Sequence, residues 1–158
     1  MSSKSKSRTS QTASAPAGAG AVLFLKPGRE KSLRRLHPWV FSGAVDRLDG
    51  LVDPGGTVVV RTSGGEFLAW AAYSPASQIR ARVWSFNEDT RPDEAWIRER
   101  VTAAVARRRV LAAASPETSA WRLIHAESDG LPGVVADQYG DVLVLQLSTA
   151  GADYWREA

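Results

Sequence analysis

A chain of 158 residues, 44% hydrophobic and 23% charged, is long enough to bury one core or two small ones. It has no cysteine, which excludes disulfides, thiolate metal sites and a cysteine nucleophile, and no apolar run of the ~18 residues that cross a membrane. The net charge of +3 matches Lys4, Lys6 and Arg8 near the N-terminus; without them 17 bases face 17 acids, so a case for nucleic acid rests on local clustering. No apolar stretch follows those first bases, so they read as no secretory signal, and a cytoplasmic location is expected.

Residues 1–21 are mostly Ser, Ala, Thr, Gly and Lys without apolar periodicity, which predicts a disordered basic tail. Val22–Leu25 reads as a strand ended by Pro27-Gly28. Arg29 to Leu36 has room for one or two helical turns. These stop at His37-Pro38, because the residue before proline is pushed out of the α region. Trp39-Val40-Phe41 resumes an extended path, and Asp49-Gly50 and Asp53-Pro54-Gly55-Gly56 are turn signals. Thr57–Thr62 and Glu66–Tyr73 read as a hairpin around Ser63-Gly64-Gly65. Short strands with frequent turns predict a small, partly closed β-barrel.

Ile79–Phe86 alternates, with Arg80, Arg82, Trp84 and Phe86 on one face. A long helix follows, with Thr90 as its expected N-cap, Pro92, Asp93 and Glu94 in its first turn, and Ile97, Val101, Ala104, Val105 and Leu111 as its apolar stripe. It ends near Ser115-Pro116. Trp121–Ile124 is a short strand. Val134–Ala136 and Val142–Leu145 form a second hairpin around Tyr139-Gly140-Asp141. Ala152–Glu157 reads as the start of a helix that has no room to finish, the pattern of a truncation.

Three constellations could carry chemistry. The first runs from Lys26 to Phe41 and holds five bases, Lys26, Arg29, Lys31, Arg34 and Arg35, against the single acid Glu30. Such bases neutralise phosphates, and His37, Trp39 and Phe41 are interleaved with them. The alternative is a solvated basic helix, and Trp39 and Phe41 read more readily as barrel core than as stacking platforms. The second is Arg80, Arg82 and Trp84, either a phosphate-facing strip or arginine stems covering an indole. The third is His125, Glu127 and Asp129, which alternation would place on one face. A turn role for Asp129 before Gly130, or a contact with a neighbouring domain, outweighs a metal or acid/base cluster. No catalytic, metal-binding or cofactor-binding residue is assigned.

Gly28-Arg29-Glu30-Lys31-Ser32-Leu33 and Arg35-Leu36-His37-Pro38-Trp39-Val40-Phe41-Ser42-Gly43-Ala44-Val45 closely resemble the opening of the 23S ribosomal RNA cytosine-5 methyltransferases that carry an N-terminal PUA domain. Ala72-Tyr73-Ser74-Pro75-Ala76-Ser77-Gln78-Ile79-Arg80-Ala81-Arg82-Val83-Trp84 and Glu127-Ser128-Asp129-Gly130-Leu131-Pro132-Gly133-Val134-Val135-Ala136-Asp137 agree with the same family, in its order. Where that family commonly has glycine before Glu-Ser-Asp, this chain has Ala126.

The resemblance implies an α+β chain: a PUA-type small β-barrel over residues 22–76, then a small α/β middle domain over 77–158 with strands flanking one long helix. It implies a Rossmann-like, S-adenosylmethionine-binding domain with a nucleophilic cysteine that is absent from this chain, and ribosomal RNA as partner. Independently, Gly18-Ala19-Gly20 follows no strand and lacks the third glycine of a dinucleotide loop. The RNA-contact candidates are Lys26, Arg29, Lys31, Arg34 and Arg35, with Arg80 and Arg82 behind them. Three alternatives stay open: a stand-alone non-enzymatic RNA-binding module, a remnant without function, and a PUA domain beside a different RNA-modifying enzyme, the last opposed by residues 121–147.

Overall fold

A computed structural model describes residues 20–115 and 117–158. Its first unit is a six-stranded mixed sheet, curled into a half-barrel. The strands are β1 (Val22–Leu25), β2 (Trp39–Phe41), β3 (Val45–Asp49), β4 (Thr57–Arg61), β5 (Phe67–Tyr73) and β6 (Ile79–Ser85), in the spatial order β2-β6-β5-β4-β1-β3. A short helix α1 (Lys31–Arg34) and a 3-10 turn (Ser42–Ala44) bracket β2. Strands β1 and β4 run parallel in the interior of the sheet, and every other pair is antiparallel. Interior position, with strands on both sides, explains why β1 and β4 read as near-continuous apolar runs. Leu23, Leu25, Val58 and Val60 are fully buried, each contributing roughly 1.5–3 kcal/mol of transfer free energy.

Two expectations change here. The sequence predicts a tail that reaches Ala21, but Ala21 is buried and its carbonyl accepts a 3.1 Å bond from the Val59 N–H. The remainder of that expectation, residues 1–19, lies outside the described residues. The sequence also predicts that the first unit ends at residue 76, yet β6 is hydrogen-bonded between β2 and β5. The first sheet therefore extends to Ser85.

The second unit consists of α2 (Glu94–Ala113) followed by an antiparallel meander of β7 (Ala120–His125), β8 (Val134–Tyr139) and β9 (Val142–Leu147), and α3 (Ala150–Tyr154) closes it. The sequence predicts strands on both sides of the long helix. All three strands of this sheet follow α2 in the chain, because the strand before it belongs to the first sheet. The helix starts one turn later than Thr90: the Asp93 carboxylate accepts from the Trp96 N–H at 2.8 Å, which makes Asp93 the cap. Pro116, the expected end of the helix, lies outside the described residues, as does the side chain of Leu111.

A second core joins the two units. Trp84 of β6 and Ala72 of β5 project from the outer face of the first sheet to meet Trp96, Ile97, Ala104, Ile124, Leu131 and Ala136. Trp84 and Trp96 meet edge to face with centroids 6.3 Å apart. Gly151 of α3 sits so close to this junction that a Cβ there would collide with Ala72 and lie 3.0 Å from the Trp84 ring. Only a residue without a side chain allows that approach.

Candidate nucleic-acid interface

The basic segment leaves β1 through a turn in which Gly28 takes φ +78°. Helix α1 is only four residues long and is anchored by one side chain, Leu33, which is 2% exposed. With Leu33 pointing inward, Lys31, Ser32, Arg34 and Arg35 face solvent. The helix closes through a 3.0 Å bond from the His37 N–H to the Ser32 carbonyl, with Leu36 at φ +61° in the position glycine usually fills. Pro38 then directs the chain into β2, an edge strand of the sheet.

The five bases are not equivalent. The Lys26 ammonium donates to the Gly43 carbonyl at 3.3 Å. Arg34 forms a two-pronged pair with Glu66, at 3.1 and 2.6 Å. Hydrogen bonding from Arg34 holds the Glu66 carboxyl below its ordinary range, and Glu66 raises the guanidinium in turn. Arg29, Lys31 and Arg35 are exposed and, among the described residues, make no side-chain hydrogen bond or ion pair. Three of the five therefore keep their full charge available to an anion, and Arg34 is partly spent on Glu66.

The aromatics of this segment also differ from expectation. Val40 points into the barrel at 1% exposure, so Trp39 and Phe41 must point outward. His37, Trp39 and Phe41 form a row along β2, with successive centroids 5.7 and 6.3 Å apart. Phe41 is 50% exposed and is not barrel core. Neighbouring alternation with Val40 carried that signal.

The second constellation is divided by the fold. Trp84 is taken into the second core. Arg82 lies opposite Trp39 in the β2–β6 pair, and its side chain is 18% exposed with Nε 3.9 Å from Glu127. The same carboxylate oxygen accepts from the Trp39 indole N–H at 2.9 Å. Arg80 is half-buried on the same strand. Arg82 thus faces the joint between the units, and Arg80 stays at the margin of the solvent-facing surface.

His125, Glu127 and Asp129 do not converge. A 3-10 turn at Ala126–Asp129 breaks the alternation, and among the described residues no group of metal-ligating side chains forms. His125 is exposed and Glu127 faces Trp39. Asp129 is buried beneath two arginines of α2, with bonds of 2.8 Å from Arg107 and 2.9 Å from each Arg108 nitrogen, and accepts the His125 N–H at 2.7 Å. Burial alone would push its carboxyl up; the Arg107, His125 and Arg108 donors outweigh that and hold it below the ordinary value of 3.8. Arg107 and Arg108 lie more than twenty residues from Asp129 in sequence, so only the tertiary fold reveals this clamp.

The described residues do not fit an adenosyl cofactor. Such a site needs a strand, a glycine-rich loop and a helix N-terminus in a parallel unit. In the single parallel pairing described, β1 with β4, the strand β1 leads through a loop with one glycine, Gly28, into the four-residue α1, which is no such glycine-rich loop and helix, and α2 begins at Asp93 after an antiparallel strand.

Known proteins place these features. Residues 23–86 match the family model for a PUA-like domain. The chain is 54% identical over 136 residues to the ribosomal RNA large subunit methyltransferase I of Erwinia tasmaniensis, and 47% identical over 135 residues to that of Aliivibrio fischeri. These alignments cover 86% and 85% of this chain but 34% of each relative, so the chain spans about a third of the length of the curated relatives it matches. Among solved structures, a Streptococcus mutans chain assigned as a SAM-dependent methyltransferase superposes with a TM-score of 0.69 at 21% identity, over 86% of this chain and 35% of that one. That likeness supports the fold. Residues 23–86 therefore form a PUA-like domain, and the chain is homologous to the N-terminal part of the large-subunit ribosomal RNA methyltransferases I.

Proposed function

We propose that the chain is the RNA-gripping front part of an S-adenosylmethionine-dependent ribosomal RNA cytosine-5 methyltransferase. Its work is to hold ribosomal RNA in the cytoplasm and present the target base to a catalytic domain that these 158 residues do not include. The observation that carries this reading is the 54% identity to a ribosomal RNA methyltransferase across both units, PUA-like and second. The geometry adds a means of gripping. Arg29, Lys31 and Arg35 stand exposed on one short segment without acidic partners among the described residues, a ready contact for phosphates. Lys26 flanks them, Arg34 joins when Glu66 yields it, and Arg80 and Arg82 supply secondary contacts near the joint. The two units share the Trp84 core, so RNA held by the first is held at a fixed orientation to the second.

Binding of the 158-residue chain to a ribosomal RNA fragment, measured across salt concentrations, tests this. Replacing Arg29, Lys31 and Arg35 together by alanine should weaken binding and lower the slope of log affinity against log salt by about one for each phosphate left without its cation. An unchanged slope would overturn the phosphate assignment.

A further inference from the structure

The face of the first sheet that meets the second unit carries two polar groups that no described residue satisfies. Ser74 is 6% exposed, and its hydroxyl makes no hydrogen bond among the described residues. The Arg82 side chain is 18% exposed and comes only within 3.9 Å of Glu127, too far for a hydrogen bond. That Glu127 oxygen already accepts the Trp39 indole N–H. A guanidinium drawn largely out of water with its N–H groups unpaired is costly, so such a group calls for a partner. The register brings the two together. Arg82 lies opposite Ala72 in the β5–β6 pair, and Ser74 follows two residues later on the same face. The Ser74 N–H still bonds the Arg80 carbonyl at 2.8 Å, so the ladder holds there. Diagonal neighbours of this kind are roughly 7–8 Å apart, within reach of one small ligand.

Both residues line a cavity of about 490 Å³ where the two units meet, within the ~300–1,000 Å³ of clefts that take small ligands. Ser77 adds a third donor: its Oγ accepts the Ile79 N–H at 3.1 Å, which leaves its own proton free. The hydroxyls from the second unit are occupied, Ser148 on the Gly133 carbonyl and Thr149 on the Pro132 carbonyl. No carboxylate lines the cavity, and Pro54 and Pro75 give it an apolar wall. Free donors, one fixed positive charge and no acid select an anion, and the spare volume beside them admits a compact apolar body attached to it.

We propose that this cavity is a phosphate site, with Arg82 pairing two phosphate oxygens and Ser74 and Ser77 donating to the others. The planar guanidinium matches that geometry in two-pronged fashion. The site is separate from Arg29, Lys31 and Arg35, and goes beyond the RNA-gripping reading because it stands whether or not those three hold RNA. Since its lining comes from both units, a bound phosphate stabilises their joined arrangement by mass action.

The test titrates inorganic phosphate and phenyl phosphate into the 158-residue chain and into a variant with Arg29, Lys31 and Arg35 all replaced by alanine. Binding is read from amide chemical shifts and from the rise in melting temperature. Phenyl phosphate should bind more tightly than phosphate, and equally well to both proteins. Arg82→Gln should weaken it roughly tenfold or more, the loss of a charge-assisted pair, and Ser74→Ala several-fold. Ser74→Ala removes one oxygen from a small side chain, so it reports on the site even where Arg82→Gln loosens the joint. Competition with a short RNA in the triple-alanine variant identifies the source: displacement means that the occupant is an RNA backbone phosphate, and no displacement means a free phosphomonoester. A chain that binds neither probe, or an affinity that disappears in the triple-alanine variant and is untouched by Ser74→Ala and Arg82→Gln, would overturn the site and leave water as the partner of Arg82. Salt-sensitive RNA binding by the wild-type chain in that case would leave the RNA-gripping reading standing alone.

Discussion

The Trp39 indole donates its N–H to the Glu127 carboxylate at 2.9 Å, joining strand β2 of the first sheet to the 3-10 turn of the second unit across 88 residues of sequence. The contact is half-buried, and Arg82 approaches the same oxygen at 3.9 Å. A hydrogen bond to a charged acceptor in such a place contributes about 1–2 kcal/mol. Trp39→Phe, which keeps a ring beside His37 and Phe41, should lower stability by that amount in urea unfolding. A double-mutant cycle with Glu127→Gln should return a coupling of about 1 kcal/mol. Additive effects would show that the second core alone joins the units.

Ala126 makes a second case at the same turn. Its φ of +43° is left-handed, a conformation that costs a residue with a Cβ about 1–2 kcal/mol. Glycine removes that strain and returns roughly 0.4–1 kcal/mol to the unfolded chain. Ala126→Gly should therefore stabilise the protein by about 0.5–1 kcal/mol and raise its melting temperature by about 2 °C. A lower melting temperature would mean that the Ala126 methyl packs more usefully than its backbone suffers.

These two residues show what a sequence discloses and what it withholds. Ala126 stands out as a departure from the glycine of similar proteins, but the positive φ behind it belongs to the folded turn. The apolar runs of β1 and β4 are readable because both faces of those strands are buried. Strand β3 is not, because it is an edge: Val45 and Leu48 are separated by Asp46 and Arg47, and Asp49 ends it. The alternation of β6 is legible, yet its place in the first sheet depends on pairing with β2, and no local pattern encodes that. The basic cluster is visible residue by residue. Which bases are free is not, since the partner that occupies Arg34 lies 32 residues away.

Asp129 gives a pH dependence of known sign. Its folded-state carboxyl lies below the ordinary 3.8, so the unfolded chain binds the proton more readily. The stability it contributes is complete above about pH 5 and is lost as pH falls through 3.8 toward the folded value. Asp129→Asn should cost about 2–3 kcal/mol at pH 7, less than a fully buried pair because Arg107 can turn to solvent. The gap between wild type and variant should narrow below pH 4 in chemical denaturation. Glu66 and Asp137 are lowered in the same direction, and the comparison at Asp129 alone removes their shares. A gap that stays constant to pH 3 would show that the carboxylate charge is not what the two arginines recognise.

Glu66 sets the availability of Arg34. The two side chains are 60% and 50% exposed, so the pair itself adds little to stability. Its consequence is for anions: while Glu66 holds both prongs of the guanidinium, Arg34 presents no net charge beside Arg35. Glu66→Gln removes that hold together with one negative charge. If Arg34 borders the RNA, the variant should bind RNA two- to fivefold more tightly, and its salt slope should steepen by about one. Arg34→Ala in the Glu66→Gln background should cancel the gain, whereas Arg34→Ala alone should change affinity little. Unchanged binding in Glu66→Gln would place Arg34 outside the interface and leave Arg29, Lys31 and Arg35 as the phosphate contacts.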